Sequence, residues 1–111
     1  MRLILATSLI MRLTGLLKKD RCIRGEVLML APCKSIHTFG MRSPIDVAFL
    51  DTSAKVLASE RTMLPNRMRS HPKAVAALER RSNPEGAWPQ VGESLVINFN
   101  PREGMAVNED L

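Results

Sequence analysis

The sequence has few aromatic residues: three Phe, one Trp and no Tyr among 111 residues. Proteins that bind single-stranded nucleic acid commonly stack bases on aromatic side chains set within a basic surface. The excess of bases lies in the first half, and the aromatics do not alternate with these bases as a stacking platform would require: Lys18, Lys19, Arg21, Arg24, Lys34 and Arg42. Nucleic acid is therefore not the expected partner. Non-specific binding through the basic face stays open as an alternative, and it would have to weaken steeply with salt.

Cysteine and histidine are equally scarce, with two of each: Cys22, Cys33, His37 and His71. Two cysteines are too few for a disulfide scaffold. A structural zinc site pairs its ligands at close spacing, which Cys22 and Cys33 do not have, and His71 stands alone. No metal and no cofactor are expected.

Long hydrophobic runs are also missing. The opening run at 1–11 starts like a signal peptide, with Arg2 before an apolar stretch, but Arg12 and then Lys18 interrupt it before a cleavage site. It is too short to span a bilayer, which takes about 20 apolar residues. We expect a cytoplasmic protein without a membrane span.

What remains has an ordinary globular composition, with 45% hydrophobic residues and a formal charge of +5. A chain of this length is enough for one domain, expected at 1–100. The last residues, 101–111, carry one base and three acids without an apolar period, so they are expected to fray. There are no internal repeats.

Apolar runs and alternations predict strands at 2–8, 27–31, 45–51, 56–63 and 94–99. In 45–51, Ile45, Val47 and Phe49 should share one face and Asp46, Ala48 and Leu50 the other. Leu9, Leu13, Leu16 and Leu17 recur at helical spacing after Ser8, which predicts one N-terminal helix. The pattern favours a mainly β fold, a compact antiparallel β-barrel or β-sandwich.

Three segments complete the interpretation. Residues 64–73 are basic and contain two prolines, so they are expected as a surface connection. Residues 74–81 could be a helix or a strand. Their Ala, Leu, Glu and Arg residues favour a helix, and a strand is the competing interpretation. Trp88 is expected to anchor the turn-rich segment around it.

Five short motifs carry a family resemblance. "GLL" at 15–17, "PCKSIHTFGM" at 32–41, "PIDVAFLD" at 44–51, "AALE" at 76–79 and "VGE" at 91–93 occur in the order and spacing of the family called domain of unknown function 192. The chain resembles that family over residues 2–98. The resemblance implies a small β domain with a helix near the N-terminus, and a strand at 74–81. It brings no enzymatic activity, and it implies a protein partner from a secretion or pilus system. Ala54 stands where the family commonly has glycine.

Cys33 and His37 suggest a hypothesis of cysteine-dependent catalysis. Their spacing would allow a thiolate and its base, with Asp46 or Asp51 orienting the histidine. The alternative is a buried cysteine beside a histidine that bonds to the backbone. The chain lacks a Gly-rich phosphate loop, a Ser-His-Asp order and a paired-carboxylate motif, so enzymatic activity is not the leading hypothesis.

The leading hypothesis is binding of a protein segment or a small anion at the rim 35–42. His37 and Thr38 offer hydrogen bonds, Met41 offers apolar contact, and Arg42 can hold a carboxylate or phosphate. Asp46 belongs to this region as a carboxylate inside an apolar strand. If it is buried it needs a cation, for which Arg42 and Arg12 are the candidates. The candidate ligand-binding residues are His37, Thr38, Met41, Arg42 and Asp46.

Overall fold

The computed structural model describes the backbone of residues 2–6, 27–100 and 104–108 and the side chains of residues 27–97. Within these residues the chain forms strands and turns and no helix. The helix expected after Ser8 lies outside the described residues. The described strands are β1 (Arg2–Ala6), β2 (Val27–Leu30), β3 (Ser35–His37), β4 (Ile45–Leu50), β5 (Val56–Met63), β6 (Met68–Ser70), β7 (Ala76–Arg81), β8 (Val96–Asn100) and β9 (Gly104–Asn108).

Seven of these strands form one sheet in the order β5-β4-β7-β2-β1-β9-β8. Neighbouring strands are antiparallel except for β1 and β2, which are parallel. β3 and β6 form a separate two-stranded antiparallel sheet. The prediction of a mainly β, mainly antiparallel fold is therefore confirmed.

The prediction of a closed β-barrel is wrong for the described residues. The edge strands β5 and β8 do not pair with each other; the residues just before them form one isolated antiparallel bridge, between Lys55 and Ser94. An antiparallel register keeps the sum of paired residue numbers constant, so residue 96, the first of β8, falls opposite residue 53. That residue lies in the turn between β4 and β5, where no strand is left for β8 to pair with. The large sheet stays open.

Both faces of the large sheet are buried at β4 and β7, which place apolar side chains alternately on each side. On one face, Ile45, Val47 and Phe49 pack with Ile36 of β3, so the small sheet covers this face. On the other face, Ala48 and Leu50 pack with Trp88. The predicted faces of β4 are confirmed, as is the role of Trp88 as an anchor. The indole Nε1–H of Trp88 also donates to the Val47 carbonyl at 3.1 Å.

Residues 76–81 form a strand despite their helical composition. β7 is an interior strand of the sheet, which pairs with β2 on one side and with β4 on the other. Its first five residues are buried. Burial on both faces outweighs the local propensity of Ala, Leu, Glu and Arg for helix.

Two loop predictions need correction. The tail expected to fray forms β9 over Gly104–Asn108, which pairs with β1 and with β8. The backbone N–H and C=O groups of β1 and β8 gain hydrogen-bond partners in this way. The side chains of the tail show no apolar period, so they gave no sign of this pairing. The connection at 64–73 is exposed as expected, yet it contains β6, which pairs with β3.

The turn between β4 and β5 joins these two antiparallel strands into a hairpin. Asp51 organises it: its Oδ1 accepts hydrogen bonds from the backbone N–H of Ser53 at 2.8 Å and of Lys55 at 3.0 Å. The hydrogen bonds from Lys55 and Ser53 lower the pKa of Asp51. Ala54 takes a φ of 59°, the left-handed conformation that glycine adopts most easily.

Candidate functional site

Three side chains form an exposed group on the outside of the small sheet. His37 and Met68 are register partners on β3 and β6, so their side chains stand side by side on one face. The His37 ring stacks on Phe39, with ring centroids 5.3 Å apart and an interplanar angle of 22°. Phe39 is 51% exposed and Met68 is 60% exposed. We call His37, Phe39 and Met68 the β3–β6 patch.

Thr38 lies beneath this patch, fully buried. Its hydroxyl donates to the Leu64 carbonyl at 2.7 Å and accepts from the Arg67 backbone N–H at 2.9 Å. Thr38 therefore fastens residues 64–67 to the rim rather than facing a ligand. Met41 is half-buried and packs against the core beneath the small sheet, so it too has a structural place.

The surroundings of the patch are cationic. Residues 34–42 and 64–73 contain five Lys or Arg and no Asp or Glu. Arg42 and Arg67 are exposed. Arg69 is paired with Glu60 of β5, with Nε 2.9 Å from Oε1. The more N-terminal basic residues, Lys18 to Arg24, lie outside the described part of the chain.

Asp46 is fully buried and paired, as its position in an apolar strand requires. Its partner is Arg80, at 3.0 Å, and not Arg42, while the other candidate, Arg12, lies outside the described residues. Backbone N–H groups of Thr62 at 3.0 Å and Asn83 at 3.2 Å complete its hydrogen bonding. The side chain points to the face of the sheet opposite the small sheet. Asp46 is therefore separated from the rim with which the sequence grouped it.

Arg80 is held as tightly as its partner. Its guanidinium lies over the Trp88 ring, with Cζ 4.6 Å from the ring centroid. It also donates to the carbonyl of Gly86 at 3.2 Å. The ion pair thus connects β4, β7 and the loop that leads to Trp88, which is a structural role.

Cys33 and His37 are not joined as a nucleophile and its base. Cys33 is 3% exposed, and its thiol donates to the Ser35 carbonyl at 3.2 Å. His37 is exposed and its described contact is the stacking on Phe39. Among the described residues no hydrogen bond links the two side chains. Of the two carboxylates expected to orient the histidine, Asp46 is paired with Arg80 and Asp51 accepts hydrogen bonds from the backbone of Ser53 and Lys55.

Sequence reasoning did not single out Glu79. This β7 residue is 4% exposed and stands between Leu28 of β2 and Val47 of β4 in the strand register. No hydrogen bond or ion pair reaches its carboxyl group from the residues that the structure describes. Burial raises the pKa of Glu79 to about 7. The signal available in the sequence was a carboxylate in the apolar "AALE" motif, in a segment for which both a helix and a strand were open.

A cleft opens between β5 and β6, with a volume of about 130 Å³. Its apolar lining comes from Val47, Phe49 and Ala58. Ser59 and Ser70 and the Glu60–Arg69 ion pair line it as well. The cleft depends on β6, which the sequence did not predict, so no sequence pattern indicated it.

The described residues bring no group of three or more His, Cys, Asp or Glu side chains close enough to hold a metal ion. In the same part of the chain, no helix has the length and apolar character needed to cross a membrane.

An open, mainly antiparallel β sheet with a two-stranded sheet on one face defines the class: a small β domain. The model of the family DUF192, described as an uncharacterized ACR, matches residues 1–84. The chain belongs to this family, as its motifs indicated. The fold is similar to a crystal structure of a protein of unknown function from Novosphingobium aromaticivorans, with a TM-score of 0.61 and 16% sequence identity. The similarity covers 72% of this chain and 62% of that one. No curated protein matches the sequence.

Proposed function

We propose that the protein is a binding module, which takes up an acidic protein segment at the β3–β6 patch. The observation that carries the proposal is an exposed aromatic and apolar group bordered by cations. The segment would carry Asp or Glu residues and one aromatic or long apolar side chain. Neither the family nor the similar structure has an assigned function, so the support comes from this surface alone.

The apolar part of the patch supplies the anchor. Phe39 and Met68 expose half or more of their surface to water. Contact with an apolar side chain would bury this surface, which is favourable because it removes apolar area from water. Methionine adapts its shape to different partners, and the stacked His37 and Phe39 rings give a flat surface beside it. Such aromatic and Met contacts are typical of the centre of a protein interface.

The charges select the partner. Arg42 and Arg67 can each hold a carboxylate through paired N–H groups. With no acid in 34–42 or 64–73, a cationic segment would be repelled. A second copy of this chain is disfavoured for the same reason, because a two-fold interface would bring the same cations face to face.

The alternative of a cysteine-dependent enzyme gains nothing from the geometry, because the thiol of Cys33 is buried and His37 faces outward. The cytoplasm as compartment and a secretion or pilus protein as the partner stay as predictions. Cell fractionation with an antibody against the native chain tests the compartment. Affinity purification from secretion-competent cells tests the partner.

The proposal is tested with a fluorescent peptide of Glu residues around a central Phe. Binding is measured by anisotropy against the intact protein. The double variant His37→Ala, Arg42→Ala should bind about tenfold more weakly, since it loses part of the anchor and a charged hydrogen bond. Met68→Ala should weaken binding in the same direction.

Val91→Ala and Arg81→Ala are the matched controls, because both residues are exposed and lie outside the patch. Both should bind as the unmodified protein does. Equal binding of a peptide with Lys in place of Glu, or with Ala in place of Phe, would contradict the proposal. Displacement by inorganic phosphate but not by chloride of equal ionic strength would show a small-anion site instead. Tighter binding of a single-stranded oligonucleotide, falling steeply with salt, would assign the surface to nucleic acid.

A further inference from the structure

The cleft between β5 and β6 is a second candidate site, on the inner side of the small sheet. Its apolar wall is formed by Val47 and Phe49, both buried, together with Ala58 of β5. A volume of about 130 Å³ corresponds to about four water molecules. A space of this size suits the apolar body of a small ligand.

The polar lining of the cleft carries both signs of charge. The Glu60–Arg69 ion pair uses one oxygen of the carboxylate, Oε1, and the Nε of the guanidinium. Oε2 of Glu60 accepts no hydrogen bond from the described residues. Arg69 has five N–H donors and uses two, on Glu60 and on the Met68 carbonyl. The pair therefore keeps an acceptor and several donors for a ligand without being broken.

A further carboxyl group lies nearby. Val47 stands between Glu60 and Glu79 in the strand register, so all three share one face of the sheet. With strands about 4.8 Å apart, Glu79 lies roughly 10 Å from Glu60 at the backbone. Glu79 does not line the cleft and its charged form is opposed by burial, so the negative charge at the cleft comes from Glu60. Glu60 of β5 favours a positive group on the ligand, and Arg69 of β6 favours a negative one opposite.

We infer that this cleft binds a small zwitterion with an apolar body, which is the chemistry of an apolar α-amino acid. The ammonium group binds Glu60 Oε2, the carboxylate binds the Arg69 guanidinium, and the side chain packs on Val47 and Phe49. The inference does not depend on the β3–β6 patch, because the cleft shares no residue with it.

The test is titration of the full chain with L-leucine, L-valine and L-methionine, followed by the backbone amide NMR signals of Ser59, Glu60, Arg69 and Ser70. At least one of the amino acids should shift these signals saturably. Glu60→Gln and Arg69→Gln should each weaken that binding about tenfold. N-acetyl-leucine and leucinamide, which lack one charge each, should bind correspondingly less. Ala58→Leu fills the cleft while leaving both charges, and should abolish the shifts.

Glu85→Gln and Lys73→Gln are the matched controls, because they remove exposed charges elsewhere. Their thermal unfolding and that of the cleft variants establish that each protein is folded. Absence of saturable shifts with all three amino acids would overturn the inference. Unchanged affinity in Glu60→Gln and Arg69→Gln would do so as well, because it would show that the charges are not recognised.

Discussion

Two buried carboxyl groups lie on the same sheet in opposite circumstances. Asp46 meets a guanidinium and two backbone N–H groups, so its charge is compensated. Glu79, one strand away, lies among apolar neighbours, and its charged form is opposed by desolvation alone. The same residue class thus gives a structural ion pair at one position and a titratable group at the other.

Glu79 should make the stability of the protein depend on pH. Its pKa rises from 4.5 to about 7 on folding, so between these values the folded state holds a proton that the unfolded state has released. Its contribution is fully present below about pH 4.5 and is lost as the pH rises through 7. Relative to Glu79→Gln, the free energy of unfolding should fall by about 3 kcal/mol from pH 4.5 to 8.

Urea unfolding at a series of pH values measures this difference. Glu85→Gln is the control, because Glu85 is exposed, and it should keep the slope of the unmodified protein. Parallel curves for Glu79→Gln and the unmodified protein would show that Glu79 has the same pKa in both states.

Replacement of Arg80 should strongly destabilise the folded protein. Arg80→Met leaves the Asp46 carboxylate buried without its cation, which we expect to lower the free energy of unfolding by about 3–5 kcal/mol. Arg81→Met, at an exposed neighbouring position, should change it by less than about 0.5 kcal/mol. Chemical denaturation measures both. Since the two partners are coupled, adding Asp46→Asn to Arg80→Met should cost less than the sum of the single changes.

Among the elements, the β4–β5 hairpin contains a residue in an unfavourable conformation. Ala54 has a φ of 59°, where a Cβ atom is strained, at the position where the family resemblance led us to expect glycine. Ala54→Gly should therefore raise the free energy of unfolding by about 1 kcal/mol, after the entropy that glycine adds to the unfolded chain is subtracted.

Ala87→Gly is the matched control, since Ala87 is exposed and its φ is not positive. It should leave stability unchanged or lower it by up to about 1 kcal/mol. A lower melting temperature for Ala54→Gly, measured by circular dichroism, would mean that the methyl contact of Ala54 with the core outweighs the backbone strain.

The strands with regular apolar patterns were predictable from sequence. β4 and β5 appear where the alternation placed them, and β2 lies in its apolar run. The short strands β3 and β6 were not predictable, because three residues give no period and their pairing joins segments more than 30 residues apart. Of the residues predicted to bind a ligand, His37 and Arg42 are exposed, and their role in binding stays a prediction. Met68 and the cleft were missed because they depend on β6.

For the whole molecule, the C-terminal segment joins the sheet. β9 lies between β1 and β8, so removal of residues 101–111 would deprive both strands of a partner. We expect the truncated chain to unfold at a clearly lower urea concentration than the complete one. An unchanged urea midpoint of unfolding would show that the segment does not stabilise the sheet, as expected of a frayed tail.

The proposed and inferred sites lie on two sides of the same small sheet. The β3–β6 patch faces outward, and the cleft opens between β6 and β5. The two proposals are tested with separate variants, so a negative result for one site does not contradict the proposal for the other.

The double burial of β4 has a consequence for mutational tolerance. All six of its residues are buried, whereas β5 mixes buried, half-buried and exposed positions. In a library that randomises each strand in turn, selected for folded protein, β4 should reject polar replacements at every apolar position. Tolerance of polar replacements should return in β5, at its half-buried and exposed positions.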